Sequence, residues 1–135
     1  MSIALSTTVR APFADAVART RAALAAQGFG VLTEIDMKAT LTAKIGPDAG
    51  DELGDYLILG ACNPPLARRA VGVDRQIGLL LPCNVVVRGN PAEDGTVLVE
   101  AMNPQLLVQV TDQPELQPVA DEVTAKLQAA IDSLA

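Results

Sequence analysis

The apolar residues of this chain recur with helical spacing at both ends and with strand-like spacing in between. Residues 12–27 and the residues after Pro114 each carry one apolar stripe, the pattern of a helix that packs on a core. Between them, short runs either alternate or are apolar throughout, over the length of a strand. No linker, repeat or low-complexity segment divides the 135 residues. The pattern therefore predicts a single α+β domain, residues 1–135.

The same patterns give boundaries for each element. We expect strands over residues 2–9, 29–36, 56–61, 77–88 and 96–102. We expect helices over residues 12–27, 37–45, 64–72 and 114–134, with Asp36 and Asn63 as N-caps of the second and third. Residues 47–55 carry four acids and two glycines without periodicity, which predicts a mobile loop. Residues 106–110 fit either a helical turn or a short edge strand.

Pro82 lies inside the long apolar segment 77–88. Proline has no N–H group for the hydrogen-bond ladder of a sheet, so we expect a bulge or an unpaired position there. Both faces of this segment are largely apolar, which favours a central strand. The hairpin loop 90–95 then leads into the strand 96–102, so these two strands are expected to be antiparallel.

Charge and the scarcity of aromatic residues exclude several classes of partner. Sixteen acidic residues against ten basic ones give a net charge of −6, which repels a phosphate backbone and an anionic membrane surface. Phe13, Phe29 and Tyr56 are the only aromatic residues, so nucleic-acid bases have little to stack on. The longest apolar stretch is too short to span a bilayer, which needs about 20 residues. We expect neither nucleic acid nor a membrane as a partner.

The chain has no histidine and only two cysteines. The lack of histidine removes Ser–His and Cys–His dyads and imidazole metal ligands. Cys62 and Cys83 have 20 residues between them, unlike the short Cys-x-x-Cys spacing of zinc sites, so we expect no metal and no cofactor. No secretory signal is visible, and a cytoplasmic location with free thiols is the expectation.

Each cysteine is followed by an asparagine. Cys62-Asn63 closes one apolar run, and Cys83-Asn84 lies inside the next. If the two segments are neighbours in the fold, their thiols and amides form one site. Cys62 immediately precedes a helix, whose N-terminus favours a thiolate. The alternative is that Cys62 is a small buried side chain at a tight junction, a common place for cysteine.

Two further polar residues lie on apolar strands. Asn84 must find a partner, because an unsatisfied buried polar group costs about 1 to 3 kcal/mol. That partner is a backbone loop, a ligand or a neighbouring subunit. Glu100 either acts as a proton acceptor on an apolar face or forms a cross-strand pair with Arg88. Packing of the side chain against Leu81 and Val85 is enough to explain a cysteine at position 83.

Four segments of the chain resemble a known protein family. They are Ala11-Pro12-Phe13, residues 28–36, residues 58–67 with Gly-Ala-Cys-Asn-Pro, and residues 77–87 with Leu-Pro-Cys-Asn-Val. Together they are similar to the family called domain of unknown function 302. The resemblance implies an α+β fold of the β-α-β(4)-α type, with an antiparallel curved sheet and helices packed on one face, in the layout of the TATA-binding protein. It also implies a bacterial or archaeal homodimer, and it implies no agreed activity.

These observations favour a dimeric small-molecule-binding module with its site around the Cys-Asn pairs. The candidate ligand-binding residues are Cys62, Asn63, Pro82, Cys83, Asn84 and Glu100. A second hypothesis is a thiol-based redox enzyme or sensor, in which Cys62 is the nucleophile and Cys83 resolves it. A third is a structural or protein-interaction module in which the asparagines only brace the fold. The sequence leaves open whether the protein is an enzyme.

Overall fold

The computed structural model describes residues 2–135, so residue 1 of the expected domain lies outside the described residues. The strands are β1 (Ala4–Arg10), β2 (Gly30–Asp36), β3 (Tyr56–Cys62), β4 (Cys83–Gly89) and β5 (Thr96–Met102). The helices are α1 (Phe13–Ala26), α2 (Met37–Lys44), α3 (Pro47–Leu53), α4 (Pro64–Val73), α5 (Gln105–Thr111) and α6 (Gln117–Leu134). Short 3-10 helices cover Arg75–Leu80 and Pro114–Leu116.

The strands form one five-stranded sheet in the order β1-β5-β4-β3-β2, with every neighbouring pair antiparallel. The predicted α+β class, with an antiparallel sheet and helices on one side, is confirmed. β4 is the central strand, as its apolar composition predicts. Helices α1 and α6 pack against each other and against the sheet.

The two faces of the sheet differ because strand side chains alternate between them. On the helix side, Leu59, Val85 and Val99 of the three central strands are fully buried, together with Leu24 of α1 and Leu127 of α6. These aliphatic side chains form the core. The opposite surface, which the helices leave uncovered, is called the open face below.

The two predicted N-caps are confirmed. The Asp36 carboxylate accepts a 2.9 Å hydrogen bond from the Ala39 N–H at the start of α2. The Asn63 side-chain oxygen accepts one of 3.3 Å from the Leu66 N–H at the start of α4. Each cap satisfies a backbone donor that the first turn of a helix leaves free.

The expected mobile loop over residues 47–55 is wrong, because most of it is the helix α3. Pro47 occupies the start of the helix and Asp48 its first turn, both favourable there. Gly50 is buried against α2, and a Cβ on it would lie 1.9 Å from the Thr42 hydroxyl oxygen. The glycine that suggested a loop is therefore the residue that lets two helices approach closely.

The expected strand over residues 77–88 is right only in its second half. Residues 75–80 form a 3-10 helix, and Asp74 caps it by accepting a 2.9 Å hydrogen bond from the Gln76 N–H. Ile77 is 1% exposed and Leu79 is 85% exposed, so the alternating pattern does not mark one buried strand face. Pro82 directly precedes β4, where it needs no ladder hydrogen bond, and no bulge is required.

Residues 105–111 are helical, which decides between the two alternatives for this region. Asn103 stabilises the turn that leads into α5, because its side-chain oxygen accepts a 3.1 Å hydrogen bond from the Gln105 N–H. Its amide group donates to the Ser2 carbonyl at 3.1 Å and so ties this turn to the start of β1. Within residues 2–135, no helix has the length and apolar content needed to cross a membrane.

Candidate functional site

A small cavity lies where β3 ends and β4 begins. Its volume is about 30 Å³ and its lining is almost entirely apolar. Four of the six predicted site residues line it, namely Cys62, Asn63, Pro82 and Cys83. The other lining residues are Phe29, Ala61, Leu66, Ala67, Ala70, Leu81, Leu107, Val119 and Val123. We call this space the thiol cavity.

The strand register brings the four residues together. Ala61 of β3 lies directly opposite Cys83 of β4, so Cys62 is one residue beyond the pair. The chain turns into α4 at Asn63, which places the start of that helix over the same end of the sheet. Gly28 adopts a positive φ of 84° and sits so close to the Asn63 amide nitrogen that a Cβ would approach it to 3.0 Å.

The N-terminus of α4 offers little to an anion. Pro64 and Pro65 occupy its first positions and have no N–H group. The Leu66 N–H donates to the Asn63 side chain, and the Ala67 N–H donates to the Asn63 carbonyl at 2.9 Å. The donors that would hydrogen-bond a thiolate of Cys62 from this helix are therefore absent or occupied.

Cys83 is buried and Cys62 is half-buried, and both thiols are free. Burial raises the pKa of Cys83 from 9.0 to about 11, and the nearby charge of Cys62 contributes to the same rise. Cys83 is thus a neutral thiol at physiological pH and a weak nucleophile, since the thiolate is the reactive form.

Asn84 and Glu100 do not join the thiol cavity. Asn84 follows Cys83 on β4, so its side chain points to the open face, where it is exposed. Glu100 of β5 lies opposite Val86 on that same face. The structure therefore divides the six predicted residues between two places, on opposite sides of the sheet.

The open face carries two adjoining hollows. One, of about 580 Å³, is lined by Leu53, Gly54, Asp55, Tyr56, Arg88, Gly89, Asn90, Pro91 and Glu100. The other, of about 370 Å³, is lined by Ile3, Ala4, Tyr56, Asn84, Val86, Glu100, Ala101, Met102 and Leu106. Tyr56 and Glu100 line both, so they stand at the boundary between the two. We call the two hollows together the open-face trough.

An ion pair lies in the middle of this trough. Arg88 donates from Nε to a Glu100 carboxylate oxygen at 2.6 Å, with 30% and 29% of the two side chains exposed. The hydrogen bond to Glu100 raises the pKa of Arg88, and the charges of Glu100 and Tyr56 raise that pKa further. Partial burial of the guanidinium group lowers the same pKa and so opposes the rise. Of the two alternatives for Glu100, the cross-strand pair with Arg88 is what the structure contains.

Tyr56 was missed as a site residue by sequence reasoning. Its signal was present, since it is one of three aromatic residues and begins a strand after an acidic segment. Tyr56 is half-buried opposite Arg88, and it presents an aromatic ring and a hydroxyl group to the trough. No group of three or more His, Cys, Asp or Glu side chains within residues 2–135 is placed to hold a metal ion.

Comparison with known proteins identifies the family. The model of the family described as "Domain of unknown function DUF302" matches residues 5–134, and the chain belongs to this family. The fold is similar to the crystal structure of an uncharacterized conserved DUF302 protein from Bacillus stearothermophilus, with a TM-score of 0.84 and 25% sequence identity. That similarity covers 100% of both chains. Among curated proteins, none matches the chain.

Proposed function

We propose that this DUF302 protein is a homodimeric small-molecule-binding module. In this proposal two copies pair through their open faces, and the ligand lies in the trough between the two sheets. The observation that supports it is a sheet face without helices whose centre is apolar. A sheet face that meets only water normally carries polar side chains.

The apolar centre has a polar rim. Ile58, Val86, Leu98 and Met102 project from the three central strands onto the open face, and each is half-buried there. The edge strands carry mainly exposed polar side chains on this face, such as Ser6, Thr8 and Thr33, together with one large apolar side chain, Ile35 of β2, which is 46% exposed. An apolar centre inside a mostly polar rim is the usual composition of a protein interface.

A second copy of the chain fits this surface in size and charge. Five strands of seven residues make a face of about 24 Å by 24 Å, or about 580 Å² of flat area. One partner contributes about 800 Å² of accessible surface to a standard interface, and the relief of the side chains raises the accessible area of this face above its flat value. The chain carries a net charge of −6, yet the arginines of this face are paired, Arg88 with Glu100 and Arg10 with Glu93. These two pairs add no net charge to the face, so they do not repel the same pairs on a second copy.

The trough, and not the thiol cavity, has room for a ligand. Small-molecule sites occupy about 300 to 1,000 Å³, the range of both hollows, whereas a 30 Å³ space accepts only one or two water molecules. Its polar groups are the Tyr56 hydroxyl, the Asn84 amide and the Arg88–Glu100 pair, set among aliphatic side chains. A weakly polar organic molecule with a hydrogen-bonding group at one end matches this lining.

Analytical ultracentrifugation of Ile58→Arg against wild type tests the dimer, because Ile58 lies at the apolar centre of the open face between Ile35 and Val86 and has no acidic side chain opposite it. An unpaired charge in a buried interface costs several kcal/mol, so we expect self-association to weaken at least about a hundredfold. Thr8→Arg adds the same charge at the exposed rim of the same face and serves as the matched control, with an expected change below about threefold. A wild-type protein that stays monomeric at every soluble concentration contradicts the proposal.

Native mass spectrometry of gently purified protein tests the ligand. We expect a retained small molecule in the wild type, kept in Tyr56→Phe and lost or weakened about tenfold in Tyr56→Ala, because the ring supplies much of the apolar contact. A dimer that retains no molecule and binds none from a metabolite extract would leave the assembly in place and remove the binding function.

A further inference from the structure

We propose that the helical hairpin α2–α3 is an arm with which each copy of the protein contacts the other in the dimer. Ile45, at the turn between the two helices, then packs against Ile3 and Leu106 of the partner subunit. We call residues 37–53 the arm, and the corner of the open face at Ile3 and Leu106 the far corner. This inference rests on the proposed open-face dimer and adds to it a contact made outside the sheet.

The arm buries almost nothing in its own chain. Of the described residues Met37–Lys44 of α2 none is buried, and of the described residues Pro47–Leu53 of α3 only Gly50 is. Gly50 lies against α2, so the two helices pack mainly on each other. Helices of eight and seven residues are marginal in water, because tertiary packing supplies most helical stability. The arm therefore needs a surface that its own chain does not provide.

The arm also exposes large apolar side chains next to the open face. Ile45 is 73% exposed and Leu53 is 39% exposed. Leu53 lines the open-face trough together with Tyr56 and Arg88, so the arm is continuous with the surface on which the second copy is proposed to lie. The flat area of that surface is about 580 Å², and a standard interface takes about 800 Å² of accessible surface from each partner. A contact through the arm enlarges the dimer interface toward that size, which favours a second copy as the occupant.

The far corner lies diagonally opposite the arm on the same face. The arm joins β2 to the start of β3, at one end of the sheet and beside the edge strand β2. β5 runs in the same direction as β3, so its last residue, Met102, lies at the other end, where it pairs with Ala4 of the other edge strand, β1. At this corner Ile3 is 72% exposed, and Leu106 of α5 lines the same hollow. The open face thus has exposed apolar side chains at two opposite corners.

Two-fold symmetry brings these two corners together. In a two-fold dimer each contact between two different surface patches forms twice. An axis that lies in the interface, along the diagonal that joins the other two corners, places the arm of each copy over the far corner of its partner. The strands of the two sheets then cross at nearly a right angle, which is one of the two usual ways in which sheets pack.

Charge does not oppose this contact. The helix α3 is acidic, since it carries Asp48, Asp51 and Glu52. Among the residues that line the hollow at the far corner, only Glu100 is charged, and it is paired with Arg88. The acidic helix of one copy therefore meets no unpaired like charge on the other.

Charge pairs placed at the two corners test the contact. Ile45→Lys and Ile3→Glu each put a charge into the proposed contact twice per dimer, so we expect each to weaken self-association at least about tenfold in analytical ultracentrifugation. The double variant should bind at least about fivefold more tightly than the product of the two single effects, because each new lysine meets a new glutamate of the other copy. Within one chain the two positions lie at opposite corners of a face about 24 Å on each side, so this coupling arises only between copies.

Val71→Lys is the matched control, because it adds the same charge at an exposed apolar residue of α4, which packs on α6 on the helix side of the sheet. We expect it to change self-association by less than about threefold. If Ile58→Arg dissociates the dimer while Ile45→Lys and Ile3→Glu leave it intact, the arm contact is overturned and the open-face dimer stands. Single effects that simply multiply in the double variant have the same meaning. A wild-type protein that stays monomeric at every soluble concentration overturns both proposals.

Amide hydrogen exchange followed by mass spectrometry shows whether the arm is covered. In dilute protein, where monomers dominate, we expect the amides of the arm to exchange rapidly, because short helices without packing open easily. At concentrations where dimers form, exchange over residues 37–53 should slow at least about tenfold, while exchange in α1, which packs on its own core, should stay the same. Equal exchange of the arm in both conditions overturns the proposal, since the arm then stays exposed or is covered by a partner other than a second copy.

Discussion

Arg88 Nε donates a 2.6 Å hydrogen bond to Glu100 Oε1 between β4 and β5, on the face of the sheet that the helices leave bare. About a third of each side chain is exposed, so the pair is only partly hydrated. In a single chain such a pair contributes little to the free energy of unfolding. A second copy packed over the pair would remove the water that still contacts it. The strength of this one interaction therefore reports on whether the open face is covered.

A double-mutant cycle with Arg88→Met and Glu100→Gln measures that strength. At low protein concentration, where the face is wet, we expect a coupling of about 0.5 to 1 kcal/mol in the free energy of unfolding. At concentrations where dimers form, we expect about 2 kcal/mol, because the charges attract more strongly in an interface. A coupling that does not change with concentration means that the pair stays in contact with water.

Cys83 should make the stability of the reduced protein depend on alkaline pH. Its pKa is about 11 in the folded chain and 9.0 for an unperturbed thiol, so between these values the folded state holds a proton that the unfolded state has lost. The resulting stabilisation is complete below pH 9 and disappears as the pH rises to 11. We expect Cys83 to account for a loss of about 2 to 3 kcal/mol across that window.

The measurement is urea unfolding under reducing conditions at pH 8 to 11, in wild type and Cys83→Ala. All other titratable groups are present in both proteins, so the difference between the two curves isolates Cys83. Cys62→Ala is the control, and it should retain most of the loss of stability at alkaline pH. Parallel curves for wild type and Cys83→Ala would show that Cys83 is not shielded from water.

The Asn63 side chain is expected to stabilise the protein through its cap on α4. Asn63→Ala removes the acceptor for the Leu66 N–H and should lower the free energy of unfolding by about 1 kcal/mol. Asn63→Asp keeps an acceptor and adds a charge that the helix N-terminus favours, so it should stay within about 0.5 kcal/mol of wild type. Denaturation of the three proteins checks this, and equal losses for both variants would mean that Asn63 acts through its amide nitrogen near Gly28.

Sequence reasoning succeeded where the cause of a structure is local. The strand Thr96–Met102 was predicted at its observed bounds, because residues adjacent in the sequence determine both its alternation and the hairpin before it. The caps Asp36 and Asn63 were predicted for the same reason, since a cap contacts residues only two or three positions away. The family resemblance then implied the antiparallel sheet with helices packed on one face.

Sequence-based prediction fails where contacts between residues far apart in the sequence determine the structure. The alternation in residues 77–81 fits a strand, but burial of Ile77 beneath α4 and the Asp74 cap give a 3-10 helix instead. Alternation within β4 also separates two of the predicted site residues. Asn84 is adjacent to Cys83, so the two must face opposite sides of the sheet, and they could not share one site while both stayed in the strand.

Gly50 provides the strictest test of the helical hairpin that replaced the expected loop. In the interior of an exposed helix, glycine to alanine normally stabilises by about 1 kcal/mol. At Gly50 the new Cβ would lie 1.9 Å from the Thr42 hydroxyl and 2.9 Å from the Lys38 carbonyl, so α2 and α3 must move apart. We expect Gly50→Ala to destabilise by about 1 to 3 kcal/mol, the usual cost of overpacking.

Gly72 is the matched control, because it lies in α4 and a Cβ added to it would meet nothing within 4 Å. Gly72→Ala should therefore stabilise the protein by about 0.5 to 1 kcal/mol, opposite in sign to Gly50→Ala. Adding Thr42→Ala to Gly50→Ala removes the closest contact and should recover part of the loss, while the Lys38 carbonyl keeps the rest. If both glycine variants stabilise equally in urea unfolding, residues 47–53 do not pack on α2, and the segment behaves as the loop that its composition predicts.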